Sequence, residues 1–557
     1  MLQDIHDALR APDAPAPDHE LIVELVFDKP ITAPEVRAAI IAAIPDAFVE
    51  VETAFGGGMD RFHFARFGAL SLQGREARAF QFARELRVAT GAAEASPVLV
   101  DSFYGAVATA SSTGDETARE RAMESALISC STPDNQTYPT GWTHGLINSA
   151  VAWSKGNRGE TVRVGVIDTG RSRHVELDAV CVDDAHLGGL NLVEPGELPY
   201  DTFDTSVHLP NPGHGTLVAS VVASRGDVDP ATSITTGPGK VTGVAPGAEI
   251  LPIRAIRSVV DIRQSRIPRA IELAIERDCD VIVMCLGGPT RIASVEAALR
   301  RAVAAGIVIV AAAGNCYPFV VFPAAYSRNR LCAAVAAVGY GLKPWGRTAR
   351  GPAVTVSAPG EDVWGASMRS AEADPTFVRA SQGTTLATST TAGVAALWVA
   401  SHGGRESLRA HAAQIGTTVQ DMFMRAIVSD LSPPAAWNGA SDLGAGVVDV
   451  AKALAFPLPG PGLEMGRTSP AGADETSSPV DVLRSHVQEY GALAAGEIDD
   501  GLADVAAELI WHSYMRGASV RARASGLEGF HDPAQVSPDA GAALASRDEL
   551  ARFVLGR

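Results

Sequence analysis

The sequence predicts an α/β fold: a parallel sheet with helices on both faces, preceded by a smaller α+β domain and followed by a helical extension. Three observations carry this. Between residues 141 and 456, short and uniformly apolar runs alternate with helix candidates, the pattern of strands buried on both faces. Between residues 20 and 104, strands of alternating polarity flank two amphipathic stretches. Beyond residue 478, past a Pro/Gly-rich linker, only helical periodicity is legible. A chain of 557 residues is too long for one core and accommodates such a division.

After an acidic, Pro-rich leader (1–19), residues 21–27 read as a strand, and Thr32-Ala-Pro-Glu35 supplies a capping box for a helix to about Ile44. A strand over 47–55 turns at Gly56-Gly57-Gly58 into a partner strand over 61–67. An amphipathic stretch over 75–90 and a last strand over 97–103 complete the order βαββαβ, a ferredoxin-like plait spanning 20–104. Residues 105–140 form a connector with one helix candidate over 116–128. In the domain over 141–456, the central strands are expected at 162–167, 250–253, 281–285 and 307–311, with helices at 267–277 and 294–305. A linker (457–478) leads to helices at 480–490 and 497–514 in the extension, 479–557.

Composition excludes several functions. Lys+Arg total 46 against 64 Asp+Glu, a formal charge of −18, and no basic block follows a phosphate backbone, so nucleic acid is not an expected partner. No apolar stretch approaches the ~20 residues that span a bilayer, so no membrane is expected either. The N-terminus lacks a basic start followed by an apolar run, which places the chain in the cytoplasm, the alternative being a secreted protein already relieved of its leader. Cys130, Cys181, Cys279, Cys285, Cys316 and Cys332 show no CxxC or Cys/His spacing, so buried reduced thiols are expected rather than disulfides or a zinc site.

Four separated motifs carry chemistry. Val164-Gly165-Val166-Ile167-Asp168-Thr169-Gly170 ends a buried strand in a carboxylate, where parallel sheets open their cleft. Gly213-His214-Gly215-Thr216 places an imidazole at the start of an apolar helix. Ala312-Ala313-Gly314-Asn315 follows another strand with an amide, and Gly383-Thr384-Thr385-Leu386-Ala387-Thr388 precedes a buried helix. Each alone has a bland explanation, for example a turn asparagine at Asn315. Their order of Asp, His, Asn and hydroxyl resembles the subtilisin-like (S8) peptidases, the subtilase family, over about 300 residues, to the closing Gly444-Ala445-Gly446-Val447-Val448-Asp449.

The resemblance implies a subtilisin-like fold and endopeptide hydrolysis through an acyl-enzyme. Asp168 would be the orienting acid, His214 the general base, Thr385 the nucleophile and Asn315 the oxyanion donor. Cys285-Leu286-Gly287-Gly288 resembles the family's substrate-lining strand, to which an extended peptide or protein substrate adds. The plait resembles the pro-domain of many subtilases, an intramolecular chaperone and inhibitor, and any maturation cut belongs in the connector; an unrelated plait is the alternative. No metal or organic cofactor enters this chemistry, and calcium, a common stabiliser in the family, finds no Asp-rich loop of convincing ligand spacing.

The departure is Thr385, where the family has serine. Ser381 precedes the motif and Ser389 falls a helical turn too deep, so no serine takes the position. A β-branched alcohol is stiff at χ1 and sets a methyl where the scissile carbonyl approaches. Three readings follow: a threonine-nucleophile protease, a crippled form of a serine enzyme, and a scaffold that binds peptide, or its own connector, without cutting. Transpeptidation or cyclisation, with an amine intercepting the acyl-enzyme, is a further alternative. Cys316, beside Asn315, would replace Thr385 only as a perturbed thiolate facing His214.

Overall fold

The computed structural model describes residues 1–11, 20–72, 75–99, 138, 141–204, 211–226, 240–257, 259, 264–368, 370–460, 476–491, 497–524 and 536–555. The connector helix expected at 116–128 lies outside these residues.

The N-terminal domain is a four-stranded antiparallel sheet of order β2-β3-β1-β4, built from β1 (Glu20–Thr32), β2 (Val49–Thr53), β3 (Met59–Ser71) and β4 (Glu94–Pro97). Helices α2 (Ala33–Ala43) and α3 (Glu76–Thr90) link them in the plait order. The capping box forms as the sequence dictates: the Glu35 amide donates to Thr32 Oγ1, and the Thr32 amide to Glu35 Oε2 at 3.0 Å. Two corrections arise here. The leader carries a helix of its own, α1 (Leu2–Leu9), which buries Ile5, His6 and Leu9 and packs on α3; its apolar positions fit a single face, but flanking acids and prolines mask so short a pattern. The last strand also begins three residues earlier than expected, because pairing with Val23–Val26 fixes its register; Val98 continues it, its amide donating to Ile22 O at 2.8 Å, and residues 100–103 of the expected strand lie outside the described residues.

The large domain is organised by a six-stranded parallel sheet of order β10-β9-β8-β7-β5-β6. In chain order its elements are β5 (Arg163–Asp168), α4 (His214–Ala223), β6 (Glu249–Arg254), α5 (Ile267–Glu276), β7 (Val281–Met284), α6 (Ala293–Ala304), β8 (Val308–Ala312), β9 (Ala333–Val338) and β10 (Val356–Pro359). A hairpin of β11 (Val363–Ala366) and β12 (Val378–Ser381) then leads into α7 (Thr384–Ser401). Residues 384–399 of α7 are all buried, so it runs through the interior rather than along the surface. Its hydroxyls are satisfied by the backbone one turn back: Thr388 donates to Thr384 O at 2.7 Å and Thr391 to Ala387 O at 2.9 Å. Helices α8 (Arg405–Ile415), α9 (Val419–Val428) and α10 (Val450–Ala455) close the domain. The chain order reverses at β5, which lies between β6 and β7, and ligands of open α/β sheets bind at the carboxyl ends of strands beside such a reversal.

The extension contains α11 (Pro479–Tyr490), α12 (Ala506–Ala524), α13 (Pro538–Leu544) and α14 (Asp548–Leu555). Its second helix begins later than expected, because Asp499 Oδ1 accepts the Gly501 amide at 2.8 Å and turns the chain there. No helix among the described residues is long and apolar enough to cross a membrane.

Candidate active site

Three chain ends converge beside β5. Asp168 is its last residue and is 1% exposed. Its Oδ1 accepts from His214 Nδ1 at 2.8 Å and from the Thr169 amide at 2.7 Å. The other imidazole nitrogen, Nε2, lies 3.2 Å from Thr385 Oγ1. Asp168, His214 and Thr385 thus form one continuous line of hydrogen bonds, with Thr385 in the first turn of α7.

Local sequence explains the placement. His214 opens α4 between two glycines, and Gly213 is left-handed at φ 76°. A side chain on Gly213 would run into Met368 O, and one on Gly215 into Gly170 O, so the imidazole is seated by backbone on both sides. Gly383, at φ 140°, turns the chain into α7 and keeps space beside Asn315, whose Nδ2 lies 3.2 Å from where a Cβ would stand. Asn315 Oδ1 accepts from the Thr384 amide at 3.0 Å and Thr384 Oγ1 at 2.8 Å. With its oxygen occupied, the amide presents its NH₂ toward Gly383 and the nucleophile position.

Asp201 belongs to this site although no sequence pattern marks it. Its Oδ2 accepts from Thr169 Oγ1 and from the Gly213 amide, both at 2.8 Å, and Thr169 Oγ1 in turn accepts the Gly215 amide at 3.1 Å. One buried carboxylate therefore ties the loop after Asp168 to the loop before His214. Burial raises its pKa, an effect opposed by the bonds from the Phe203 and Gly213 amides and by Arg254. Arg254 is itself buried, donating to Thr169 O at 2.5 Å and to Glu194 at 2.9 Å.

Several expectations are amended. Cys285 lies beneath the start of α7, with Sγ 3.4 Å from Thr385 O, and burial pushes its thiol well up, so it remains a packing group. Gly288 exchanges two 2.9 Å backbone bonds with Phe322, which leaves Leu286 and Gly287 as the only stretch of that motif not bridged there. Gly287 is glycine for packing as well, since a Cβ would lie 2.6 Å from Val321 Cγ2. Ser389 is buried and donates to Thr385 O at 2.9 Å, away from His214. Cys316 is disulfide-bonded, contrary to the expectation of reduced thiols, so it offers no thiolate; isolated cysteines far apart in sequence give no spacing signal for such a bond. Cys181, Cys279, Cys285 and Cys332 are free. Among the described residues, one trio with metal-ligand geometry, His6, Asp7 and Asp46, occurs, and it lies where the leader helix α1 meets the plait.

Comparison with known proteins decides the family. The family model for subtilases matches residues 159–438, half of the chain and the whole of this site. The chain belongs to the subtilase family. This subtilase is 32% identical to subtilisin of Bacillus pumilus over 273 residues, covering 48% of this chain and 86% of that one. It is 37% identical over 181 residues to subtilisin DY of Bacillus licheniformis (32% of this chain) and 32% identical over 273 residues to subtilisin E of Bacillus subtilis (48% of this chain). It spans only 56% and 62% of the lengths of those two relatives. The crystal structure of fervidolysin from Fervidobacterium pennivorans, a keratinolytic enzyme related to subtilisin, matches at a TM-score of 0.53 and 19% identity over 81% of this chain and 62% of that one, a likeness of fold.

Proposed function

We propose that this subtilase is an endopeptidase that uses Thr385 as its nucleophile. The observation that carries the reading is the hydroxyl 3.2 Å from an imidazole whose other nitrogen is held by a buried carboxylate at 2.8 Å. His214 takes the Oγ1 proton as Oγ1 bonds to the scissile carbonyl carbon, and the carbonyl electron pair moves onto oxygen. Asn315 Nδ2 and backbone amides at the start of α7 donate to that oxyanion. Collapse breaks the C–N bond, His214 passes its proton to the leaving amine, and water then hydrolyses the ester and restores the threonine. Asp168 holds the imidazole in one tautomer throughout. An extended peptide would add along Leu286 and Gly287. The plait would act as an intramolecular chaperone, or as an inhibitor until the connector is cut.

The methyl of Thr385 favours a slow enzyme, since a displacement of about 1 Å costs on the order of 10²-fold. Intact mass of the protein incubated alone, with a peptide library as second substrate, tests the proposal. Cleavage by the threonine form that disappears in Thr385→Ala supports it. Cleavage that appears only in Thr385→Ser supports instead a crippled form of a serine enzyme or a scaffold that binds peptide without cutting.

A further inference from the structure

We propose that the C-terminal extension is a receptor for the plait and retains it as a permanent, non-covalently bound subunit once the connector is cut. The plait is gripped on two sides. Its sheet rests on the large domain, where Glu24 reaches from β1 to the start of α6 and accepts the Ala293 and Ser294 amides, each at 2.8 Å. Helix α6 has no side-chain cap of its own, so the plait completes it.

The opposite, helical side of the plait meets the extension. Arg84 of α3, only 11% exposed, donates to Glu508 at 2.9 Å, Ser537 at 2.8 Å and Asp539 at 2.9 Å. Phe80 packs against Trp511 in a tilted arrangement, ring centroids 6.0 Å apart and both rings buried. The extension is in turn fixed to the large domain, Tyr514 Oη donating to Val320 O at 2.6 Å, and the end of the linker adds Ser477, which donates to the buried carboxylate of Glu296. Large domain, plait and the end of the linker meet at Arg291, which is buried between Glu94 of the plait, at 3.0 Å, and Ser477 O.

A departing plait would leave the Glu508 carboxylate without its arginine and Arg291 without Glu94. Breaking such buried pairs acts mainly on the dissociation rate. Extension and large domain remain one covalent piece after a cut between 105 and 129, upstream of Cys130, the one cysteine left to bond Cys316, so the clamp survives the cut and no disulfide ties the plait to it. None of this depends on Thr385 being active.

The test uses the full chain with a recognition sequence for a site-specific protease inserted in the connector before Cys130, so that the disulfide of Cys316 cannot hold the plait, immobilised through a C-terminal tag and cut by that added protease. The wild-type plait should stay bound over hours of washing. Arg84→Met combined with Trp511→Ala should release it at least about 100-fold faster, while Arg84→Lys, which keeps the charge but loses the three-way fork, should do so about 10-fold faster. Release of the wild-type plait within minutes overturns the proposal. So does a rate unchanged in both variants, which would assign retention to the large domain alone. Should the double variant fail to fold before cutting, the Arg84→Lys rate decides.

Discussion

Thr385 is the proposed nucleophile, and the geometry is most informative at this residue. A β-branched residue at the start of a buried helix has little rotamer freedom, yet its oxygen lies within reach of His214 Nε2. Replacing it with serine removes one methyl and should raise kcat/KM by about 10²-fold, read with a fluorogenic peptide, if the methyl is what slows the reaction. Asn315 makes a separate prediction. Its Oδ1 is held by Thr384, so Asn315→Ala removes both the proposed oxyanion donor and a support of the helix start. Turnover should fall about 10²–10³-fold with KM little changed; an unaltered kcat would remove Asn315 from the chemistry. These residues were legible because each sits in a short glycine-bearing motif whose backbone needs are visible in sequence. Asp201 was not, because an aspartate earns its place there through donors contributed by Thr169 and Gly213, distant in the chain.

Helices α4 and α7 and strand β5 bring His214, Thr385 and Asp168 together, and Asp201 ties the loops that lead out of β5 and into α4. Asp201→Asn substitutes a donor for an acceptor facing the Gly213 amide or the Phe203 amide. The His214 loop should shift and kcat fall about 10- to 100-fold with substrate affinity retained, a split that steady-state kinetics reads directly. Strands β5, β7 and β8 announce themselves as Val/Ile runs, as parallel buried strands do. Strand β9 does not: Ala333-Ala-Val-Ala-Ala-Val338 has little intrinsic strand preference, and it becomes a strand because β8 and β10 flank it. The hairpin of β11 and β12 is likewise set by tertiary pairing, as is the early register of β4.

The molecule as a whole joins three parts around α6, and contacts between parts carry no periodicity, so Arg84 and Arg291 read as ordinary surface arginines in sequence. The interior also stores a pH response. His144 is buried, donating to Thr242 O at 2.8 Å, and burial lowers its pKa to about 4; burial lowers that of His512, in the extension, to about 4 as well. An unfolded histidine titrates near 6.5, so the unfolded chain takes up these protons first as pH falls. Their contribution to stability is therefore complete above pH 6.5 and is lost progressively as pH drops toward about 4, by about 3 kcal/mol for each histidine. Melting temperatures should decline across that window, and His144→Gln should flatten the decline; a decline identical in the variant assigns it to other groups.

One experiment reaches the nucleophile itself. The protein is treated with a peptidyl fluorophosphonate, which phosphonylates an activated hydroxyl with loss of fluoride, and the adduct is located by tandem mass spectrometry. A single adduct on Thr385, absent from Thr385→Ala and slowed by His214→Ala, is expected. No adduct on the native protein, or one on any other side chain, shows that Thr385 is not an activated nucleophile.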